Sequence, residues 1–279
     1  MILEYHRPTT IEEVMSLLAR TDPPTIPLGG GTALERFSTR AVAVVDLQSV
    51  GLNTIQQQGN TLQIGATLTL QSLADTLKNE KLENLAGLQQ AITREATYNL
   101  RQVGTVAGAL VTASGRSPFA TAMLALDAQL RLQLAARRSD DRESADRKSA
   151  DRRSGDEQVG LGDLLPLRLE RLPQRLITLV SIPLHARLAY EYVARSPADV
   201  PIVCAAVAMW PSGRTRVALG GFGDSPVLAF DGSEAEGAEI AARDAYSQAG
   251  DEWASAEYRQ EVAGVLVKRC IRQLIELSA

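Results

Sequence analysis

Apolar and polar positions along this chain fall in short blocks whose period switches between that of a helix and that of a strand. Thr10-Ile11-Glu12-Glu13 has the order of a capping box, and Ile11, Val14 and Leu18 follow at helical spacing. Asp22-Pro23-Pro24 ends that helix as a turn. A short strand at 25–28 runs into Gly29-Gly30-Gly31-Thr32, and the run at 42–47, apolar except for Asp46, reads as a strand buried on both faces. Leu62, Ile64 and Ala66 alternate, which predicts a strand over 61–66, and Thr69 is placed to cap a helix running through Leu77. Leu82, Leu85, Leu88 and Ile92 predict one further helix, residues 119–126 another, and 129–135 a strand.

The stretch 138–157 breaks the pattern. It repeats a five-residue unit, RSDDR-ESADR-KSADR-RSGDE, without a large apolar residue. Such a segment cannot bury enough surface to offset the entropy of ordering, so it reads as a solvated insertion between two strands, with a partner-docking tail as the minor reading. Beyond it, 176–183, 187–194, 202–210 and 215–219 read as four strands separated by turns. Two helices close the chain, the last with Ser255 as N-cap and Tyr258, Val262, Leu266 and Ile271 on its apolar face. Strands followed by helices argue for an α+β fold with a separate C-terminal unit.

Composition narrows the function more than the fold. A hydrophobic content of 45% over 279 residues supports one large or two modest globular domains. The net charge of -4 gives no basic field for nucleic acid, and 4% aromatics leave little for base stacking. No apolar run approaches the roughly 20 residues of a membrane helix, and the first residues lack a signal pattern, so a cytoplasmic protein is expected. Cys204 and Cys270 lie far apart in apolar stretches and read as buried free thiols. Neither they nor His6 and His185 have metal-ligand spacing, so redox chemistry would need an organic cofactor or a partner chain.

Two segments are candidates for ligand binding. In Leu28-Gly29-Gly30-Gly31-Thr32-Ala33-Leu34, consecutive glycines would let backbone N–H groups converge on an anion such as a pyrophosphate. The spacing is neither that of a P-loop nor that of a Rossmann fingerprint, and a structural turn is an equally open reading. The second segment, 101–110, is followed by Thr112-Ala113-Ser114-Gly115-Arg116. Small residues there admit a flat or charged ligand, and the hydroxyls of Thr105, Thr112 and Ser114 are placed to bond phosphate or ribityl oxygens. A small-residue loop packed under a helix is the other reading. No catalytic constellation appears, which suits a protein whose cofactor does the chemistry.

In order and spacing, the two segments resemble the FAD-binding medium subunits of molybdenum hydroxylases, the xanthine and carbon-monoxide dehydrogenase flavoprotein family. Tyr5-His6-Arg7-Pro8-Thr9-Thr10 is similar to the family's opening turn, and Ile64-Gly65-Ala66-Thr67-Leu68-Thr69 to its strand-to-helix link. Met123-Leu124-Ala125-Leu126-Asp127-Ala128 follows the second segment as in the family. Leu176-Ile177-Thr178, Ile182-Pro183, Arg195 through Asp199, Ala218-Leu219-Gly220-Gly221 and Ser255-Ala256-Glu257-Tyr258-Arg259 resemble its third domain. The resemblance covers nearly the whole chain except 138–157.

It implies a two-subdomain FAD-binding domain of the PCMH type at 1–170, with subdomains of about 1–52 and 53–170. A C-terminal domain at 171–279, an antiparallel sheet with helices, would follow. It implies FAD held by Leu28, Gly29, Gly30, Gly31, Thr32, Ala33 and Leu34, and by Thr105, Gly108, Ala109, Thr112 and Ser114, with Ile177 on the ring system. It also implies partners: an iron–sulfur small subunit with [2Fe-2S] clusters, a molybdopterin large subunit, and an acceptor such as NAD or a quinone. The chain departs from the family at Ala33, Ala107, Ala109, Pro118 and Tyr192, where the family carries polar residues, a glycine or a lysine. Weakened or lost FAD binding, in a scaffold subunit of the same fold, is therefore the alternative.

Overall fold

A computed structural model describes residues 1–33, 41–134, 156–196 and 198–276. Three sheets organise the chain in order. The first unit holds β1 (Ile2–His6), α1 (Ile11–Leu18), β2 (Thr25–Leu28) and β3 (Val42–Asp46). Its sheet has the order β1-β3-β2, with both pairs parallel. The central strand β3 is buried along its whole length, as its apolar run Val42–Val45 predicts. Thr10 caps α1 by accepting from the Glu13 N–H, while Glu13 reaches back to the Thr9 N–H. The helix lays Val14, Met15 and Leu18 against Val45 and Leu47.

The second unit begins with β4 (Ile55–Gln58), β5 (Thr61–Gly65), α2 (Leu70–Asn79) and α3 (Ala86–Glu95). Two short helices follow, α4 (Tyr98–Val103) and α5 (Val106–Val111), then α6 (Pro118–Ala125). It ends with β6 (Gln129–Leu134), β7 (Asp156–Gly160), α7 (Leu161–Leu164), α8 (Arg168–Arg171) and β8 (Arg175–Pro183). Its five-stranded sheet, β4-β5-β8-β6-β7, is antiparallel throughout. Thr69 caps α2 as expected. The helix expected across Leu82 to Ile92 is instead a 3-10 turn at Glu83–Leu85 leading into α3. Only Asp156 and Glu157 of the repetitive insertion are described, at the start of β7; the rest lies outside the described residues.

The third unit holds β9 (Arg187–Val193), β10 (Val203–Met209), β11 (Thr215–Gly220), β12 (Val227–Gly232), α9 (Ala238–Ala245) and α10 (Ala256–Glu276). Its antiparallel sheet has the order β12-β11-β10-β9. The α+β class is thus as expected, but the strand over 176–183 does not join this unit. As β8 it pairs with β5 and β6 and completes the second sheet. We therefore place the boundary after Pro183 rather than at 170/171.

Strand β10 shows why the third unit is not detached. Its residues are covered on both faces, and their alternation divides them between two cores. Cys204, Ala206 and Ala208 pack with the second unit's helices, whereas Val203, Ala205 and Val207 pack under α9 and α10. Small side chains on the inward face let α6 lie close to the sheet.

The face of α10 also differs from its expectation. Arg259, Ala263, Leu266, Val267, Cys270 and Leu274 are buried, and Tyr258 is 44% exposed. The fully buried Arg259 rotates the stripe by one residue, and a hydrophobic count passes over a charged side chain. Arg259 is held by Asp251 and by the carbonyl oxygens of Ala249, Ala254 and Ile202. No described helix is long and apolar enough to cross a membrane.

Candidate functional site

The carboxyl end of the parallel sheet is where an open α/β arrangement leaves room for a ligand. Strand β2 ends there at Leu28 and turns directly into Gly29-Gly30-Gly31. The neighbouring strand ends at Asp46, level with Leu28. Gly31 adopts φ +72°, a left-handed conformation that a side chain would strain. No acceptor among the described residues bonds the N–H groups of Gly29, Gly30, Gly31 or Thr32. Among the described residues, four donors in succession are thereby left without an acceptor.

The two glycine segments, far apart in sequence, meet here. A Cβ on Gly30 would fall 1.7 Å from the Val103 carbonyl oxygen, and one on Gly29 would fall 2.7 Å from the Thr105 hydroxyl. Thr32 lies beside Gly104. The first two glycines are therefore demanded by contact with the second segment as well as by any ligand.

That second segment is built differently. It is helical, with Thr105 as the N-cap of α5, accepting from the Gly108 N–H at 3.1 Å. The Val106 and Ala107 N–H groups go to the carbonyl oxygens of Leu68 and Ala66. Gly104 donates to Leu100. The N-terminal donors of α5 are thus taken by protein, and the hydroxyl of Thr112 donates to the Gly108 carbonyl at 2.8 Å. The expectation that Thr112 donates to a ligand meets this competing bond. Ser114 remains exposed, its oxygen accepts the Arg116 N–H, and no acceptor among the described residues takes its proton. Gly108 and Ala109 are partly covered on α5, and Ala33 is partly covered after the first loop. Leu34 lies outside the described residues.

Ile177 is not brought to this cleft. It is 5% exposed on β8 and, with Leu110 and Val111, lines an apolar cavity of about 10 Å³. A space of that size holds about one water and no ring system, so the expected packing of Ile177 on a flavin is not formed in this arrangement.

Sequence reasoning passed over the carboxylates of Asp46 and Glu95. Asp46 accepts from the Tyr5 hydroxyl at 2.5 Å and the Gln48 N–H, with Arg7 at 3.5 Å. A carboxylate closing a buried strand was the available signal. Glu95 turns its carboxylate under the N-terminus of α6, accepting from the Ser117 hydroxyl and the Phe119 N–H, both at 2.8 Å. Burial of that carboxylate pushes it above the ordinary glutamate range, against the pull of these two bonds. The whole residue is only partly covered, so the effect belongs to the inward-facing oxygens. Pro118 sits at the first turn of α6, where its missing N–H costs nothing. Tyr192 stacks on Tyr190, with Arg94 over its ring. Both cysteines are free and buried, and burial pushes Cys204 up to about 11, so it is a thiol at neutral pH.

Comparisons with known proteins identify the family and the fold. Residues 1–144 match the family described as the FAD binding domain in molybdopterin dehydrogenase. The uncharacterized protein YgfM of Escherichia coli K12 is 25% identical over 96% of this chain and 94% of its own length. The carbon monoxide dehydrogenase medium chain of Afipia carboxidovorans is 24% identical over 97% of this chain and 96% of its own. A chain in the structure of carbon monoxide dehydrogenase from Hydrogenophaga pseudoflava has the same fold, with TM-score 0.76 at 21% identity, over 98% of this chain and 96% of that one.

Proposed function

Because this chain belongs to the family of FAD-binding domains of molybdopterin dehydrogenases, we propose that it carries FAD and serves as the electron-transfer subunit of a molybdenum hydroxylase. The observation that carries the reading is the row of N–H groups at Gly29–Thr32 that no acceptor among the described residues takes up. It stands at the carboxyl end of the parallel sheet, against the second glycine segment.

The residues present fit the cofactor. Four backbone donors suit a pyrophosphate, and no side chain projects from Gly29, Gly30 or Gly31 to obstruct it. Backbone donors are indifferent to the departures at Ala33 and Ala109. Those positions lose only side-chain bonds, worth about 1 kcal/mol each. Ser114 donates a hydroxyl from the second subdomain, and Thr105 holds Gly108 and Gly29 in place rather than reaching out. When bound, FAD supplies a carrier that exchanges electrons singly with one partner and in pairs with another.

In this reading, electrons arrive from [2Fe-2S] clusters on a small subunit. That subunit takes them from a molybdopterin large subunit, and they leave to an acceptor such as NAD or a quinone. Similarity to a protein named as a medium chain supports the multi-subunit arrangement. Two unpaired buried thiols suit the cytoplasm.

The test is a visible absorption spectrum of the purified chain, before and after incubation with FAD and desalting, alone and with its partner subunits. Retained flavin bands are expected. A protein that releases all added FAD, even with its partners present, would overturn the reading in favour of a flavin-free scaffold.

A further inference from the structure

The segment carrying Ser114 is held by the third unit and by Arg168 of its own subdomain. The Gly115 N–H donates to the Gly223 carbonyl at 3.0 Å, and the Gly221 N–H donates to the Gly115 carbonyl at 2.7 Å. The contact is close enough that a Cβ on Gly115 would fall 2.0 Å from the Phe222 carbonyl oxygen. Gly221 and Gly223, at φ +125° and +77°, let the turn after β11 bend to meet it. Arg168 on α8 ties the same two pieces together. Its guanidinium donates to the carbonyl oxygens of Val111 at 3.1 Å, Ala113 at 2.6 Å, Leu165 at 2.6 Å and Asp224 at 2.8 Å. Arg116 adds bonds to Val200 and Pro201, also in the third unit. Residues on both sides of Ser114 are thereby fixed to the third unit, and Ser114 is left exposed between them.

We infer that the Gly220–Asp224 turn and Arg168 form a clamp that sets the position of Ser114, so that the third unit determines how tightly the second subdomain grips the flavin. This role rests on the FAD reading above. Arg168 is a positioning residue in it: all four acceptors are backbone carbonyls, and a planar fork reaches them where a single ammonium cannot.

The experiment uses the full chain as wild type, Arg168→Ala, Arg168→Lys and Gly223→Ala. The last adds a Cβ that meets nothing within 4 Å and changes only the turn's backbone preference. Amide exchange at Gly115 and Gly221 is followed in the flavin-free protein, and FAD affinity is measured by fluorescence titration. Arg168→Ala is expected to speed exchange at both amides and weaken FAD about tenfold. Arg168→Lys should lie between it and wild type, and Gly223→Ala should move both readouts in the same direction. Should Arg168→Ala not fold, Gly223→Ala carries the test. Unchanged exchange overturns the clamp; faster exchange with unchanged affinity overturns its role in flavin binding. A wild-type chain that binds no FAD overturns the FAD reading instead, and the exchange data still report whether the clamp exists.

Discussion

The two glycine segments look alike in sequence and do opposite things in the structure. Gly29–Thr32 leaves its N–H groups without acceptors among the described residues, at the end of a parallel sheet. Around Gly104–Gly115, protein takes up the amides at the start of α5 and at Gly115, and the glycines serve as points of close approach. Gly30 and Gly115 each lie against a carbonyl oxygen that a Cβ would strike. Glycine richness thus reports two separate needs: room for a ligand beside the backbone, and room for another piece of the same chain. Only the bookkeeping of N–H partners separates them.

The comparison can be broken most forcefully through the support of the second segment. Arg259 is wholly buried, bonded to Asp251 and placed near the Gly221 carbonyl. Replacing it by Met leaves the Ile202, Ala249 and Ala254 carbonyl oxygens without their donor, while the exposed Asp251 carboxylate turns to water, with an expected loss of about 3 kcal/mol of stability by urea denaturation. A loss below 1 kcal/mol, roughly the worth of a surface pair, would mean that this anchor is not structural.

Gly30→Ala addresses the contact between the segments. The added methyl would overlap the Val103 carbonyl, so the loops must separate, at a cost of about 1–3 kcal/mol. FAD titration should show binding weakened roughly ten- to a hundred-fold. Undiminished binding would show that the first loop works independently of the second.

Thr105→Ala removes the cap of α5 while leaving the first loop's donors untouched. Thermal denaturation should show a loss of about 1 kcal/mol. FAD affinity should fall less than in Gly30→Ala; the reverse order would mean that Thr105 touches the cofactor directly.

The smallest effect concerns Glu95, beside the N-terminus of α6. Its folded pKa is raised by burial, so the folded protein holds this proton more tightly than the unfolded chain. The group's contribution to stability is therefore fully present below the ordinary glutamate range and is lost as pH rises through the folded value. Gln at this position keeps an acceptor for Ser117 and Phe119 but cannot ionise. Denaturation curves from acid to neutral pH should show the stability of wild type falling relative to Glu95→Gln, and parallel curves would refute the raised pKa.

Much of this protein was decided locally. The capping box at Thr10, the cap at Thr69, the doubly buried run of β3 and strands β9, β10 and β11 follow from periods and side-chain donors within a few residues. These need no distant partner to be legible. The position of the first glycine loop after β2 was equally plain, because a triple glycine cannot continue a strand well.

What the chain's order alone could not decide are the pairings made across it. Strand β8 reads like its successors but hydrogen-bonds to β5 and β6, since strand pattern records which face is apolar and not which edge is adjacent. Burial of Arg259 depends on carbonyl oxygens from two loops, and charge alone points such a residue outward. Thr112 looks like a ligand donor until the Gly108 carbonyl stands in reach. Ile177 looks like a ring contact until β8 turns it into the core. Sequence determined which backbone groups and side chains have bonding capacity; tertiary structure decided which of that capacity the protein uses itself, and so which remains for a ligand.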